Sequence, residues 1–492
     1  MRRILFFLFA AIVALIGCTK NNDIEPTEEE INLLLQEAFD RNEGPSYEVI
    51  SEERLTPAEM ADWLFGTDGN IDDEQVLESK IKFLERCNDT RERLCKENPD
   101  NEITPFFHKS TFEYKTVDQF GNPITLSAFM AYGEYWKPFK YLPMDQDHII
   151  LCCPYTHTME SECATESGGG FEFKTMLHDN LFIMPDGQGF GSNKDHVQTY
   201  LNHSLHARQY YDALDAGYKL YVDNGGKFES NFTLRVVGAS QGAGDAIAVH
   251  KYADTTNERV DLTPYFESGN MLQQAIANAL CKRFGYPKGT KIIDVPRRYK
   301  YNFEYSLVCC GPYSPETTMR TYHDWGKLSY PCVIPLVIKS MLACNPELSK
   351  KYDETDFFSD QWNAHKAEFD DIFLKKPMNA DNVNIKIVLN LGMPFVPGPL
   401  ISVPLDKMLS KEMMDPNSQI CKDLMDCLKK QDLTSGWTPI TKTKVCFTPT
   451  DDVVPYSNTE ELFKLFGDKC EKEEITCTGH IACCTRFMIK EW

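Results

Sequence analysis

The chain reads as an α/β protein: a mostly parallel central sheet with helices on both faces, a helical cap insertion and a helical N-terminal extension. Three observations predict this. From about residue 109 onward, apolar strand-like runs alternate with segments of helical spacing, the pattern of a parallel sheet covered on both sides. Residues 31–108 instead carry charged helical patterns with few β-branched residues. Between the late strands, residues 313–437 break the alternation with Pro-rich turns and helical pieces such as "HKAEFDDIFLKK".

The N-terminus comes first. Met1-Arg2-Arg3 is followed by an apolar run from Ile4 to Ile16, too short for a spanning helix of about 20 residues and of signal-peptide form. Its end, Leu15-Ile16-Gly17-Cys18, resembles the lipobox of bacterial lipoproteins. The resemblance implies a signal peptide at residues 1–17, lipidation of Cys18 and a polar tether over residues 18–30. A membrane partner through an N-terminal lipid anchor follows, with the protein exported to the bacterial cell envelope, at the outer membrane or cell surface. The formal net charge of −22 argues against nucleic acid, whose phosphates such a surface repels. Eighteen cysteines suit a compartment that permits disulfides. Cys152-Cys153 and Cys309-Cys310, however, lie in strand-like runs that point neighbours to opposite faces, so most of the thiols read as small core residues.

The extension includes "EEEINLLLQEAF", "TPAEMADWLF" and "VLESKIKFLERC". Thr56-Pro57-Ala58-Glu59 combines an N-cap, a first-turn proline and a capping-box glutamate. "TFEYKTV" and "PITLSAFMAY", joined by a turn at Asp118 to Asn122, read as a hairpin. The sheet then continues through "HIILCCP", "NLFIMPD", "FTLRVVG", "FEYSLVCCGP", "KVCFTP" and "EITCTG". "HARQYYDALDAGYKLYVDN" and "AGDAIAVHKYAD" are the helices between them. Core sequence therefore occupies residues 109–312 and 438–492, with the cap at 313–437.

Gly238-Ala239-Ser240-Gln241-Gly242 stands between "FTLRVV" and a helix. It matches the G-x-S-x-G elbow in its required strand–turn–helix context, with small flanking residues that let strand and helix approach closely. A serine hydroxyl becomes a nucleophile only with a base and an orienting carboxylate. Those partners should follow in the order acid then histidine, each in a loop after a strand. Asp451 follows "KVCFTP", and His480 follows "EITCTG".

With these residues in place, the chain resembles an α/β-hydrolase, and more narrowly the bacterial and fungal secretory lipase type. "FIMPDGQGFGSN" is similar to that family's Pro-Asp-x-x-Gly-x-Gly segment and "CCGPY" to its Gly-Pro-Tyr. Its D-x-x-V-P pattern falls on Asp451, Val454 and Pro455. The likeness covers roughly Thr111 to Trp492. It implies Ser240 as nucleophile, His480 as general base and Asp451 as the orienting acid, with Asp452 the rival, suited to capping the following helix. The oxyanion hole would use the backbone N–H of Gln241 and a second from Thr156, although Tyr155-Thr156-His157 lacks the Gly-rich lipase pattern.

Other motifs are set aside. Gly187-Gln188-Gly189-Phe190-Gly191 is one residue short of a dinucleotide fingerprint, and a tight loop accounts for it. Cys477, His480, Cys483 and Cys484 lie within eight residues, too close along the chain to surround zinc, so neither a metal nor another cofactor is expected. His203 and His206, three apart on a helix, read as surface or core filler. The resulting expectation is a serine hydrolase cleaving carboxylic esters, with a small-molecule, lipid or acylated-glycan substrate. A peptidase of the same fold (aminopeptidase or prolyl-peptidase-like) and a non-catalytic binding lipoprotein on a hydrolase scaffold are the alternatives.

Overall fold

The computed structural model describes residues 25–42, 44–65, 74–97, 103–137, 140–167, 180–394 and 402–489. The signal peptide, Cys18 and the start of the tether lie outside the described residues. Among the described residues, no helix is long and apolar enough to cross a membrane.

Ten strands form one sheet: β1 (Tyr47–Leu55), β2 (Thr104–Val117), β3 (Pro123–Lys137), β4 (Lys140–Pro143), β5 (Gln146–Cys153), β6 (Asn180–Pro185), β7 (Phe228–Ala239), β8 (Phe303–Cys309), β9 (Lys442–Phe447) and β10 (Cys470–Glu474). Their order is β1-β2-β3-β6-β5-β7-β8-β9-β10, with β4 on β3. β1, β2, β3 and β6 pair antiparallel in succession. From β6 to β10 every pairing is parallel.

The side-chain alternation of the strands builds two cores. Ile149, Leu151 and Cys153 of β5 join Val236 of β7 and Val308 of β8 on one face. That face packs against α3 (His203–Asp223) and α4 (Gln241–Thr255), through residues such as Leu214 and Ala246. Ile150, Cys152, Val237 and Leu307 point the other way. They meet side chains of α1 (Pro57–Phe65), α2 (Glu74–Glu97) and α8 (His480–Ile489). A parallel strand buried on both faces is apolar at nearly every position, which is why "HIILCC" reads as one continuous run.

Two expectations need correction. Residues 31–108 are not helical throughout, since β1 lies among them and pairs with β2 at the sheet edge. Its sequence, YEVISEERL, is exposed along most of its length, so charged residues mask the strand pattern. The last strand is Cys470–Glu474, ahead of the expected "EITCTG".

The insertion holds α5 (Pro315–Trp325), α6 (Val333–Cys344) and several shorter helices around its own core, in which Trp362 stacks on Phe369 with ring centroids 3.9 Å apart. α7 (Tyr456–Phe466) follows β9.

A second compact unit joins residues 25–42 with Asn257–Val295, a segment expected inside the hydrolase core. Its helix Glu28–Asp40 opens with a Thr27–Glu30 capping box and contributes Leu34, Leu35 and Phe39 to a small core. Ile276 and Leu280 of helix Met271–Arg283 and Val260 of strand Asn257–Asp261 complete that core.

Candidate active site

β7 ends at Ala239 and α4 begins at Gln241, leaving Ser240 alone at the turn. Its φ is 53° with ψ −125°, a conformation that costs a residue with a Cβ of order 1–3 kcal/mol. The flanking glycines make the turn sterically possible. A Cβ on Gly238 would stand 2.1 Å from the Gly242 carbonyl oxygen, and one on Gly242 would stand 2.2 Å from that of Cys153. Both obstacles are backbone and cannot rotate away.

The partners arrive from two later loops. His480 Nε2 lies 2.8 Å from Ser240 Oγ, and Nδ1 lies 2.8 Å from Asp451 Oδ2. The other Asp451 oxygen accepts the backbone N–H groups of Val453 (2.9 Å) and Val454 (2.7 Å), which fixes the carboxylate. Asp452 is occupied elsewhere. Its Oδ1 accepts the His480 backbone N–H at 2.9 Å, so it holds the start of α8 and does not cap α7. His480 and Asp451 are buried, whereas Ser240 is partly open. Burial opposes charging His480, but the Asp451 carboxylate and neighbouring Cys484 outweigh it and hold the imidazole well above its ordinary range.

Ser240 and His480 open into a cavity of about 290 Å³. Tyr155, Thr156 and Tyr200 line one part, and the Thr156 hydroxyl lies 3.0 Å from that of Tyr200. The insertion supplies the apolar wall through Met319 and Tyr322 of α5 and Val333, Ile334 and Val337 of α6, with Tyr330 between them. Leu391 to Ile401, a second apolar stretch of the insertion that the sequence suggests for the acyl pocket, is described only in part. Leu391 is buried in the core of the insertion, and residues 395–401 lie outside the described residues. Gln241, as the first residue of α4, presents one of the N–H groups that a helix start leaves without an intrahelical partner.

Beneath the elbow, His203 and His206 belong to a buried group that sequence spacing does not reveal. Asp245, in the second turn of α4, places Oδ1 2.9 Å from Nδ1 of both His203 and His206. All three side chains are buried, and a Cβ on Gly244 would stand 2.5 Å from the His203 ring. The histidine pair is therefore a packed charge group that ties α3 to the helix carrying the elbow. The Pro185-Asp186 segment is a similar hub. Asp186 accepts the hydroxyls of Ser127 and Thr165, both at 2.6 Å, and Gly191 has φ 53° where a Cβ would stand 2.1 Å from that carboxylate. Its glycines serve this close packing.

A largely parallel sheet, a strained serine between its central strand and the next helix, and acid and histidine loops after later parallel strands define the α/β-hydrolase fold. Solved structures share it. The rice cell wall degrading esterase LipA of Xanthomonas oryzae superposes in a mutant form with a TM-score of 0.58 at 13% identity, over 91% of this chain and 96% of that one. Its ligand-bound form gives 0.56 at 14% identity, over the same shares. A protein of Legionella pneumophila carrying a hydrolase assignment gives 0.55 at 13% identity, over 91% and 95%. At these identities the likeness is one of fold. No family model and no curated protein sequence matches the chain.

Proposed function

We propose that the protein is a serine hydrolase that cleaves carboxylic esters through an acyl-enzyme. The observation that carries this reading is the hydrogen-bonded line Ser240–His480–Asp451, opening into a cavity with an apolar wall. Ser240 Oγ attacks the ester carbonyl carbon as its proton passes to His480 Nε2. The alcohol leaves with that proton, and a water attacks the acyl-enzyme by the same route in reverse. Asp451 keeps the imidazole in the tautomer whose Nε2 faces Ser240 and stabilises the imidazolium formed in each step. The backbone N–H of Gln241, with one from Thr156, would hold the oxyanion.

The apolar wall supports an acyl group as the recognised part of the substrate, whether on a small molecule, a lipid or a glycan. The Leu-Ile-Gly-Cys pattern ending at Cys18 supports a lipid-anchored enzyme of the cell envelope. Turnover of p-nitrophenyl esters beside aminoacyl-p-nitroanilides tests the bond cleaved. Ester turnover lost in Ser240→Ala is expected. Faster release from the anilides would make the chain a peptidase.

A further inference from the structure

His480 opens α8, and Cys483 and Cys484, one turn further on, are both buried. The end of β8 brings Cys309 and Cys310 against them from a distant part of the chain. Cys309 Sγ lies 3.7 Å from Cys310 Sγ and 3.7 Å from Cys483 Sγ. The donor atoms of Cys309, Cys310 and Cys483 all fall within 4.8 Å of one another, as do those of Cys310, His480 and Cys484. Cys310 belongs to both groups and so joins them.

Along the chain, Cys477, His480, Cys483 and Cys484 are too crowded to enclose an ion. The fold removes that objection by adding two thiols from a separate element, and metal sites generally draw on two such clusters. A tetrahedral ion with sulfur ligands at about 2.3 Å spaces those sulfurs about 3.8 Å apart. Both measured separations of 3.7 Å fit that edge, whereas a disulfide would need about 2.05 Å. The donors are thiols and one imidazole with no carboxylate among them, a set that selects thiophilic ions over magnesium or calcium. Cys484 lines the same cavity as His480, which gives an ion its way in.

We propose that Cys309, Cys310 and Cys483 bind a thiophilic d¹⁰ cation, zinc(II) or copper(I), and that the ion silences His480 by taking it as fourth ligand. Each ligating thiol gives its proton to solvent and its sulfur to the ion. Cys484 Sγ stands 3.7 Å from His480 Nε2, the nitrogen facing Ser240. With three sulfurs on the ion, His480, which shares a donor group with Cys310, fills the fourth position and gives up the Nε2 lone pair that would otherwise accept the serine proton. The silencing rests on the hydrolase reading; the binding does not.

The test uses the full chain, reduced and stripped of metal. Cobalt(II) is titrated in as probe, because its thiolate charge-transfer and tetrahedral d–d bands report sulfur ligation directly. Both bands should saturate at about one equivalent, and zinc should displace the cobalt. Zinc should also slow fluorophosphonate labelling of Ser240 about tenfold or more, with a chelator restoring it. A Cys309→Ser, Cys483→Ser double variant should lose the bands and the zinc sensitivity while labelling normally in metal-free buffer. Cys483→Ala alone, with weakened cobalt binding, serves if the double variant does not fold. Absence of cobalt–thiolate bands in the wild type overturns the site and leaves three core thiols. Bands without slowed labelling, or undiminished zinc inhibition in the double variant, overturn the silencing. A chain that never labels counts against the hydrolase reading, and the cobalt bands still decide the thiol site.

Discussion

Replacing Asp245 with asparagine removes the carboxylate that His203 and His206 share beneath the elbow. Its carboxyl is pulled down to about 2 from an ordinary 3.8: burial opposes the charge, and the charge and hydrogen bonds of the two imidazoles outweigh it. A group whose folded value is depressed adds stability that is present above its unfolded value and lost as pH falls through the folded one. For Asp245 that window runs from about pH 4 down to about pH 2. A shift of nearly two pKa units at about 1.4 kcal/mol each makes the contribution about 2 kcal/mol. Urea unfolding followed by circular dichroism at about pH 5 and about pH 2 measures it. The wild type should lose about 2 kcal/mol more over that interval than Asp245→Asn does. Equal losses would refute the reasoning, because the buried carboxylate would then titrate alike in folded and unfolded chains.

Ser240→Ala and His480→Ala should each lower kcat by several orders of magnitude and the double variant by little more, as groups acting in one proton transfer do; additive losses in ester turnover would separate them. Asp451→Asn should abolish most activity by favouring the wrong imidazole tautomer, while Asp452→Asn should lose less, since its amide oxygen can still accept the N–H bond at the start of α8. The reverse ranking in kcat/KM would exchange the roles of the two acids. Val337→Trp or Ile334→Trp should shorten the accepted acyl chain, lowering kcat/KM for octanoyl relative to acetyl esters about tenfold with fluorophosphonate labelling kept. An equal effect on every chain length would make α6 a support of the fold.

How much could be read in advance depended on where each signal sits. The parallel strands were legible because burial on both faces leaves runs such as "HIILCC" with no polar interruption. Ser240 was legible because G-x-S-x-G records a steric demand: each glycine faces backbone at about 2 Å. The structure brings Asp451 and His480 to it from positions chosen by strand order and family pattern. β1 escaped because an exposed edge strand carries charges where the reading expects apolar alternation. The Asp245 group escaped because its partners lie 42 and 39 residues away on another helix. The insertion was legible as an apolar segment near the site, and its α6 supplies part of the cavity wall. "CVIPLVIKSMLA" supplies both Val333, Ile334 and Val337 to the cavity and Ile338 and Met341 to the insertion's own core, and only packing separates the two sets. The thiol cluster was invisible for the same reason, since half of it comes from β8.

Fluorophosphonate labelling followed by peptide mapping tests the central claim most directly. A single phosphonyl adduct on Ser240 is expected, formed at a rate that falls by orders of magnitude in His480→Ala. No adduct, an adduct on another serine, or labelling indifferent to His480 would contradict the account.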